Sequence, residues 1–256
     1  MKSANSVPSL IEQLDVEDRQ TTSHRHYFRG HSNRAYQLVP KLARKSTREF
    51  LEDRYGHRGD IFSLEEAISQ RFRRYAAHHH LAGEHTSCRG AAPTDLEWLC
   101  IGQHHGLPTL LLDWTLNPLV AAFWAVRSNP DAVGHIWHMK LRPRLDRVKE
   151  TIYLTDAKHH DIQSKPNVPL LIVPWAFTSR IEAQAGRFTY SHHEDYETPL
   201  DRFQGKAPWI DKIEAIQIPS KSKETIARQL QLCCIQNGTM FPDLDGCAAF
   251  LAGGGL

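Results

Sequence analysis

The sequence predicts an α+β fold in which a helical N-terminal half packs on a mixed, mostly antiparallel sheet. Segments with apolar residues at helical spacing concentrate in the first half of the chain. Short apolar or alternating segments of strand length concentrate in the second half. Because the two kinds of segment do not alternate regularly along the chain, an α+β fold is favoured over a doubly wound parallel sheet.

Composition restricts the class of protein. At 256 residues the chain can bury the core of one large domain or two small ones. The formal net charge of +2 gives no case for a nucleic-acid coat. No apolar run reaches the length of about 18 residues typical of a membrane span, so no membrane partner is expected. With no secretory signal behind Met1–Pro8, the odd number of cysteines indicates reduced thiols and a cytoplasmic location.

Histidine is abundant and partly clustered. The chain has 16 histidines, some in the short runs 78–80, 104–105, 159–160 and 192–193. A metal site needs ligands that converge in space, commonly with cysteine or carboxylate, and neither a CxxC nor an HExxH motif occurs. We therefore expect most of these histidines to be solvated and no metal to be bound.

The first elements precede the longest motif. Val7–Val16 has apolar residues at helical spacing, and Ser9 is a candidate N-cap. Tyr27–Ser32 is typical of a strand that enters a tight turn. Its Arg29 has the donor geometry to bind a phosphate or carboxylate, although a surface arginine paired with a nearby acid is the favoured interpretation when the residue is taken alone.

Two helices are expected before the central stretch. Ser63 and Glu66 have the spacing of a capping box, and the helix that they begin continues past residue 72. The polar segment His78–Gly90 is expected to be a loop. Asp95–Gly102 is a further short helix that leads into the central stretch.

The central stretch runs from Gln103 to Pro118 and continues into an apolar segment, residues 119–126. Gly106 and Pro108 stop any helix, and Leu110–Leu112 has the length of a strand. The polar residues that follow provide three N-cap candidates ahead of a buried helix, namely Asp113, Thr115 and Asn117. A junction of strand, polar turn and buried helix is a rigid place for functional side chains.

The second half predicts strands and two further helices. The expected strands are His135–Leu141, Val148–Ala157, Leu170–Pro174 and Ile213–Ile218. A helix is expected over Ser220–Gln236, ended by Asn237-Gly238, and a last short helix over Ala248–Leu251. Residues 252–256 form a glycine-rich flexible tail.

Several of these motifs together resemble the FRG domain of bacterial and phage proteins. The resemblance is carried by Phe28–Ser32 with Leu38–Leu42, by the central stretch, and by the later blocks Arg180–Phe188 and Phe241–Gly246. It implies a single domain over residues 1–256 with its core at residues 20–251. One position departs from the family pattern, since Leu110 stands where the family usually has arginine.

A weaker resemblance points to the ADP-ribosyltransferase fold. In that fold an arginine ends the first strand, a serine or threonine strand leads into a helix, and a late strand brings glutamate or glutamine. Arg29, Asp113–Thr115 and the segment Arg180–Thr189 follow this order. The resemblance implies an enzyme that uses NAD as its substrate and acts as a toxin or phage-defence effector.

The resemblance also implies roles for particular residues. Glu182 or Gln184 is expected to hold the ribose that becomes cationic when nicotinamide leaves. His104, His105 and Asp113 are the other catalytic candidates, with a histidine acting as acid or base. The expected NAD-binding residues are Arg29, Gly30, His31, Ser32, Gln103, Thr109, Trp114 and Thr115.

Three functions remain open from the sequence. The first is transfer of ADP-ribose from NAD to an unknown macromolecule, a protein or a nucleic acid, with an antitoxin as a possible further partner. The second is a nuclease or NAD hydrolase that uses His104, His105 and Asp113. The third is a non-catalytic module that binds a nucleotide or a protein. Asp113 as a helix cap and Trp114 as a core residue are the simpler alternatives for two of the candidates.

Overall fold

The computed structural model describes residues 2–18, 25–78, 93–143, 151–153, 167–173 and 178–252. Its helices are α1 (Val7–Asp18), α2 (Lys45–Tyr55), α3 (Ile61–His78), α4 (Asp95–His104), α5 (Pro118–Val126), α6 (Ser179–Ala183), α7 (Lys223–Leu232), α8 (Asn237–Met240) and α9 (Leu244–Leu251). Its strands are β1 (Arg25–His31), β2 (Leu111–Thr115), β3 (Gly134–Leu141), β4 (Thr151–Tyr153), β5 (Leu170–Val173), β6 (Gly186–Tyr190) and β7 (Ile210–Ile218).

The strands form one sheet in the order β4-β5-β6-β2-β1-β3-β7. Neighbouring strands are antiparallel except for the pair β4 and β5. This confirms the predicted α+β class and its mostly antiparallel sheet. The two central strands, β1 and β2, share a single register pair, Phe28 with Thr115, so they diverge beyond it.

Two groups of helices cover one face of the sheet. The first group, α2 to α4, buries apolar side chains against β5, β6 and the start of β2. The second group, α1, α5 and α7, packs against β1, β3 and β7. On the opposite face a third core contains Tyr27, Leu112 and the fully buried Trp209. The divergence of β1 and β2 therefore lies between the two helical groups.

The local signals explain most helix starts. Asn117 accepts a hydrogen bond from the Leu119 amide and Pro118 occupies the first turn of α5, as the central stretch predicted. Thr94 and Glu97 form a capping box at α4. No helix within the described ranges is long and apolar enough to cross a membrane.

Two predicted helix caps were wrong, although α1 does begin at Val7 as expected. Helix α1 is capped by Ser6, whose Oγ accepts from the Ser9 amide, while the Ser9 hydroxyl accepts in return from the Ser6 amide. Helix α3 begins after Asp60, whose carboxylate accepts from the Phe62 and Ser63 amides, so a carboxylate cap begins this helix one turn earlier than the Ser63 box. These shifts of one turn change no packing face.

Two boundaries in the second half also differ from the prediction. Helix α7 ends at Leu232, since Cys234 takes a positive φ of 58° and turns the chain. Asn237-Gly238 therefore opens α8 and does not end the preceding helix. The expected loop at residues 79–90 lies outside the described residues, as do most of Val148–Ala157 and residues 253–256 of the tail.

Candidate functional site

A cavity of about 210 Å³ lies where β1 and β2 diverge. We call it cavity A. It is bordered by the end of α4 on one side and by α5 on the other, with α6 closing it. Its lining residues are Phe28, Arg29, Gly30, Gln103, His104, Asp113, Trp114, Thr115, Val120, Trp124, Arg180 and Gln184. The structure thus brings together residues from β1, the central stretch and the late segment.

A guanidinium and a carboxylate meet in cavity A. Arg29 Nη1 donates to the Asp113 carbonyl oxygen at 2.6 Å and lies 3.5 Å from Asp113 Oδ2. The Arg29 side chain is largely buried, whereas the Asp113 side chain keeps 45% of its surface exposed. Burial lowers the pKa of Arg29 and the nearby Asp113 opposes that shift, so the guanidinium stays charged.

Two further residues hold the Asp113 carboxylate in place. Gln103 Nε2 donates to Asp113 Oδ2 at 2.8 Å, and the Thr109 hydroxyl donates to Gln103 Oε1 at 2.7 Å. Thr109 is fully buried and does not line the cavity. Gln103 and Thr109, expected as NAD ligands, therefore position the carboxylate.

His31 is a hydrogen-bond partner of Arg29. Arg29 Nε donates to His31 Nε2 at 3.1 Å, and His31 Nδ1 lies 3.1 Å from the Tyr36 carbonyl oxygen. The tautomer with hydrogen on Nδ1 satisfies both of these contacts, and the Trp137 indole nitrogen, 3.2 Å from Nδ1, then has no acceptor there. Burial, together with the charge of Arg29, lowers the pKa of His31 to about 3, so it is a neutral acceptor at neutral pH.

Gly30 has a packing role in the aromatic-arginine-glycine motif. A Cβ built on Gly30 would lie 1.9 Å from the Ala121 carbonyl oxygen, so only glycine lets α5 approach β1 this closely. Ser32 is also tied into the fold, since its hydroxyl accepts from Ser128 and from Asn129. Both residues line a second cavity described below, but neither offers a free donor to cavity A.

Thr115 and Trp114 have structural partners. The Thr115 hydroxyl donates to the Gln184 carbonyl at 2.7 Å and accepts from the Asn117 amide at 3.0 Å. Trp114 is 2% exposed and its indole N–H donates to Thr189. Both line cavity A, yet Thr115 joins β2 to α5 and Trp114 belongs mainly to the core.

The two neighbouring histidines of the central stretch separate. His104 is the last residue of α4 and lines cavity A, where its Nε2 is buried with no hydrogen-bond partner among the described residues. Burial, followed by the charge of Arg180, lowers the pKa of His104 to about 3. His104 is thus a weak base suited to accepting a hydrogen bond. His105 is exposed and does not line the cavity.

The late strand predicted over Arg180–Thr189 was wrong in its first part. Thr178 caps the short helix α6, and the chain turns at Ala185 with a φ of 46° before β6 begins. Glu182 consequently lies on an exposed helical turn and does not line cavity A. Gln184 does line it, with its side-chain amide donating to the Met240 carbonyl at 3.0 Å.

Arg180 was missed as a site residue. Its guanidinium lies over the Phe241 ring at 4.3 Å, and its Nε is buried with no hydrogen-bond partner within the described part of the chain. Burial lowers its pKa, which Asp243 and Asp113 oppose. The signal was present in the two late motif blocks, because they contain Arg180 and Phe241, which contact each other.

A second cavity of about 390 Å³ continues from the first and shares Arg29, Gly30 and Trp124 with it. We call it cavity B. Its other lining residues are His31, Ser32, Tyr36, Arg44, Arg127 and Ser128.

Leu110 does not touch either cavity. Its side chain is fully buried among α2 to α4, and its amide donates to Glu65 Oε1 at 2.6 Å. The position that departs from the family pattern therefore lies in the core beside Glu65 and lines neither cavity.

Comparison with known proteins identifies one region. Residues 24–133 match the family model of the FRG domain, a stretch that includes β1, the central stretch and α5. No curated protein and no solved structure matches the chain. Among the described residues, no group of three or more His, Cys, Asp or Glu side chains is arranged to hold a metal ion.

Proposed function

We propose that this chain, which carries an FRG domain at residues 24–133, binds NAD in cavity A and cleaves its nicotinamide–ribose bond in the manner of an ADP-ribosyltransferase. The observation that carries the proposal is the meeting of Arg29 with Asp113 in one cavity. A guanidinium suits the pyrophosphate, and a carboxylate suits a ribose that becomes cationic.

Asp113 is the carboxylate that we assign to this chemistry. Among the described residues that line cavity A it is the only carboxylate, and its side chain is the more exposed partner of the Arg29 pair. Glu182, expected in this role from the resemblance, lies outside the cavity. Gln103 and Thr109 fix the orientation of the Asp113 carboxylate beforehand, which is what electrostatic stabilisation requires.

The reaction balances without a further reactant beyond the acceptor. The bond from ribose C1′ to the nicotinamide nitrogen breaks, and its electron pair neutralises the pyridinium. Asp113 stabilises the ribosyl cation until an acceptor hydroxyl oxygen attacks C1′ and gives up its proton to solvent water. His104 Nε2 is an acceptor for a ligand N–H or O–H, because its low pKa keeps it neutral. Water in place of the acceptor gives NAD hydrolysis.

The test is release of free nicotinamide from NAD by the purified chain. We expect Asp113→Asn to slow release on the order of 100-fold, the usual effect of losing one transition-state stabiliser. Arg29→Ala should weaken NAD binding, with Arg202→Ala as the exposed arginine control. Glu182→Gln is the matched carboxylate control and should release nicotinamide at the unaltered rate. Loss of release in Glu182→Gln with normal release in Asp113→Asn would reverse the assignment.

A binding module is the second candidate. It is favoured by the hydrogen bond and ion pair that already occupy Asp113 Oδ2. NAD that raises the melting temperature without releasing nicotinamide would support it. Hydrolysis of nucleic acid by His105 has less support, since His105 lies outside both cavities.

A toxin or phage-defence role in the cytoplasm, with a macromolecular acceptor and an antitoxin, remains part of the proposal. Growth arrest on expression that is relieved by Asp113→Asn would support that role. Radiolabel transferred from NAD to a protein or to a nucleic acid would identify the class of acceptor.

A further inference from the structure

Cavity B has an unusual balance of charge. Three guanidinium groups line it, those of Arg29, Arg44 and Arg127, and none of its described lining residues is a carboxylate. Like charges that face one concave surface repel each other and focus a positive potential in the space between them. A surface of this kind is unfavourable when empty and becomes favourable when an anion occupies it.

Arg44 and Arg127 make few contacts, so their guanidinium groups keep donors for such an anion. Arg44 uses Nε to donate to the Val39 carbonyl at 3.2 Å, and no ion pair with an acid is seen for it among the described residues. Arg127 lies over the Phe241 and Trp124 rings at 4.6 Å and 5.2 Å, and its charged neighbour is Arg180. Aromatic contacts hold the Arg127 guanidinium in place without neutralising it.

We propose that cavity B is a phosphate-binding subsite in which Arg44 and Arg127 hold a phosphate group, while Arg29 lies between this group and cavity A. The planar fork of a guanidinium matches the oxygens of a phosphate, and two such groups that line one cavity can bind it with defined orientation. The exposed Tyr36 and the half-buried Trp124 also line this cavity.

This inference rests on the proposed function for the identity of the nucleotide only. If NAD occupies cavity A, its pyrophosphate passes Arg29, and the phosphate on the adenosine side is the one held in cavity B. The same phosphate chemistry has a second source, the backbone of a nucleic-acid acceptor whose nucleotide reaches the ribose in cavity A.

The test uses inorganic pyrophosphate as the probe, measured by isothermal titration calorimetry with the full chain. We expect Arg44→Gln and Arg127→Gln each to weaken pyrophosphate binding about tenfold, one charge-assisted contact being worth roughly 1.5 kcal/mol. Arg180→Gln, at a residue that lines cavity A and not cavity B, should weaken it less than threefold. The exposed Arg202→Gln should leave it unchanged. Circular dichroism spectra of all variants confirm that they fold.

Two ligands then separate the sources. Weakened binding of ADP-ribose in Arg44→Gln assigns the phosphate to the nucleotide. Weakened binding of a short single-stranded oligonucleotide, with ADP-ribose unaffected, assigns it to a nucleic-acid acceptor. Pyrophosphate bound equally well by wild type, Arg44→Gln and Arg127→Gln would overturn the subsite. If the wild-type chain binds pyrophosphate but releases no nicotinamide from NAD, the proposed function is refuted and the subsite stands.

Discussion

Glu65 is buried and Arg180 is half-buried; neither forms an ion pair within the described residues, and burial affects the two groups differently. Glu65 is 3% exposed beside Tyr190, and burial raises its pKa to about 7. It can therefore lose its charge by taking up a proton. Arg180 has no such option, because a guanidinium keeps its proton in proteins. A carboxyl that can become neutral serves the core, whereas a cation that cannot indicates a place where an anion binds.

The hydrogen bonds of the two groups show the same contrast. Both Glu65 oxygens are used, Oε1 by the Leu110 amide and Oε2 by the Tyr190 hydroxyl, each at 2.6 Å. Arg180 Nε is buried and has no such partner in the described part of the chain. The hydrogen bonds of Glu65 are therefore complete without a ligand, whereas Arg180, which lines cavity A, keeps a buried donor without a partner in the described part of the chain.

The largest expected effect comes from removing the Glu65 side chain. Glu65→Ala leaves the buried Leu110 amide and Tyr190 hydroxyl without partners, at a cost of roughly 1–3 kcal/mol for each group. We expect the free energy of unfolding, measured by urea denaturation, to fall by about 2–5 kcal/mol. Glu65→Gln keeps one acceptor and one donor at the same places and should cost less than about 1 kcal/mol. Equal losses in the two variants would show that the carboxyl does more than fill these hydrogen bonds.

The sequence predicted the class of fold and the central junction because both depend on local chemistry. Asn117-Pro118 and the apolar run after it specify the start and the burial of α5 within a few residues. Glu65 was not predicted as a buried group, since helical spacing does not show that its partners are Tyr190 and Leu110, 125 and 45 residues away. Contacts at that separation depend on tertiary packing.

The candidate site, like the fold, was predicted only in part. Arg29, Asp113 and Gln184 do line one cavity, because Arg29 and Asp113 lie on the two strands that diverge there and Gln184 directly follows α6. Glu182 does not, since the Thr178 cap and the turn at Ala185 replace the first part of the expected strand with a helix. Arg180 was missed, because the resemblance directed attention to the acidic residue two positions later in the same block.

The next effect is a dependence of stability on pH. Burial raises the pKa of Glu65 from 4.5 to about 7, so the folded chain binds this proton more tightly than the unfolded chain. The resulting stabilisation is fully present below pH 4.5 and is lost as the pH rises to about 7. A shift of this size corresponds to about 3 kcal/mol. Urea denaturation at pH 5 and pH 8 measures how the free energy of unfolding of wild type and of Glu65→Gln changes with pH. A difference between the two proteins that does not change with pH would show that Glu65 is ionised throughout.

The smallest effect concerns Arg180 and bears most directly on the comparison. Arg180→Met keeps an unbranched side chain on the Phe241 ring, as sulfur and methylene groups pack well against aromatic faces. It removes a half-buried charge and an unpaired donor while giving up the attraction of Asp243 and Asp113. We expect the ligand-free chain to become more stable by roughly 0.5 kcal/mol, as at other positions where function opposes stability, and NAD to bind less tightly.

Urea denaturation without ligand, paired with calorimetric titration of NAD, separates these two consequences. Arg202→Met, at an exposed arginine, is the control and should change neither quantity. A loss of more than about 1 kcal/mol in Arg180→Met would mean that the guanidinium supports the fold as the Glu65 carboxyl does. Stability that rises while affinity falls would instead place Arg180 with groups whose unfavourable burial is offset only when a ligand is bound.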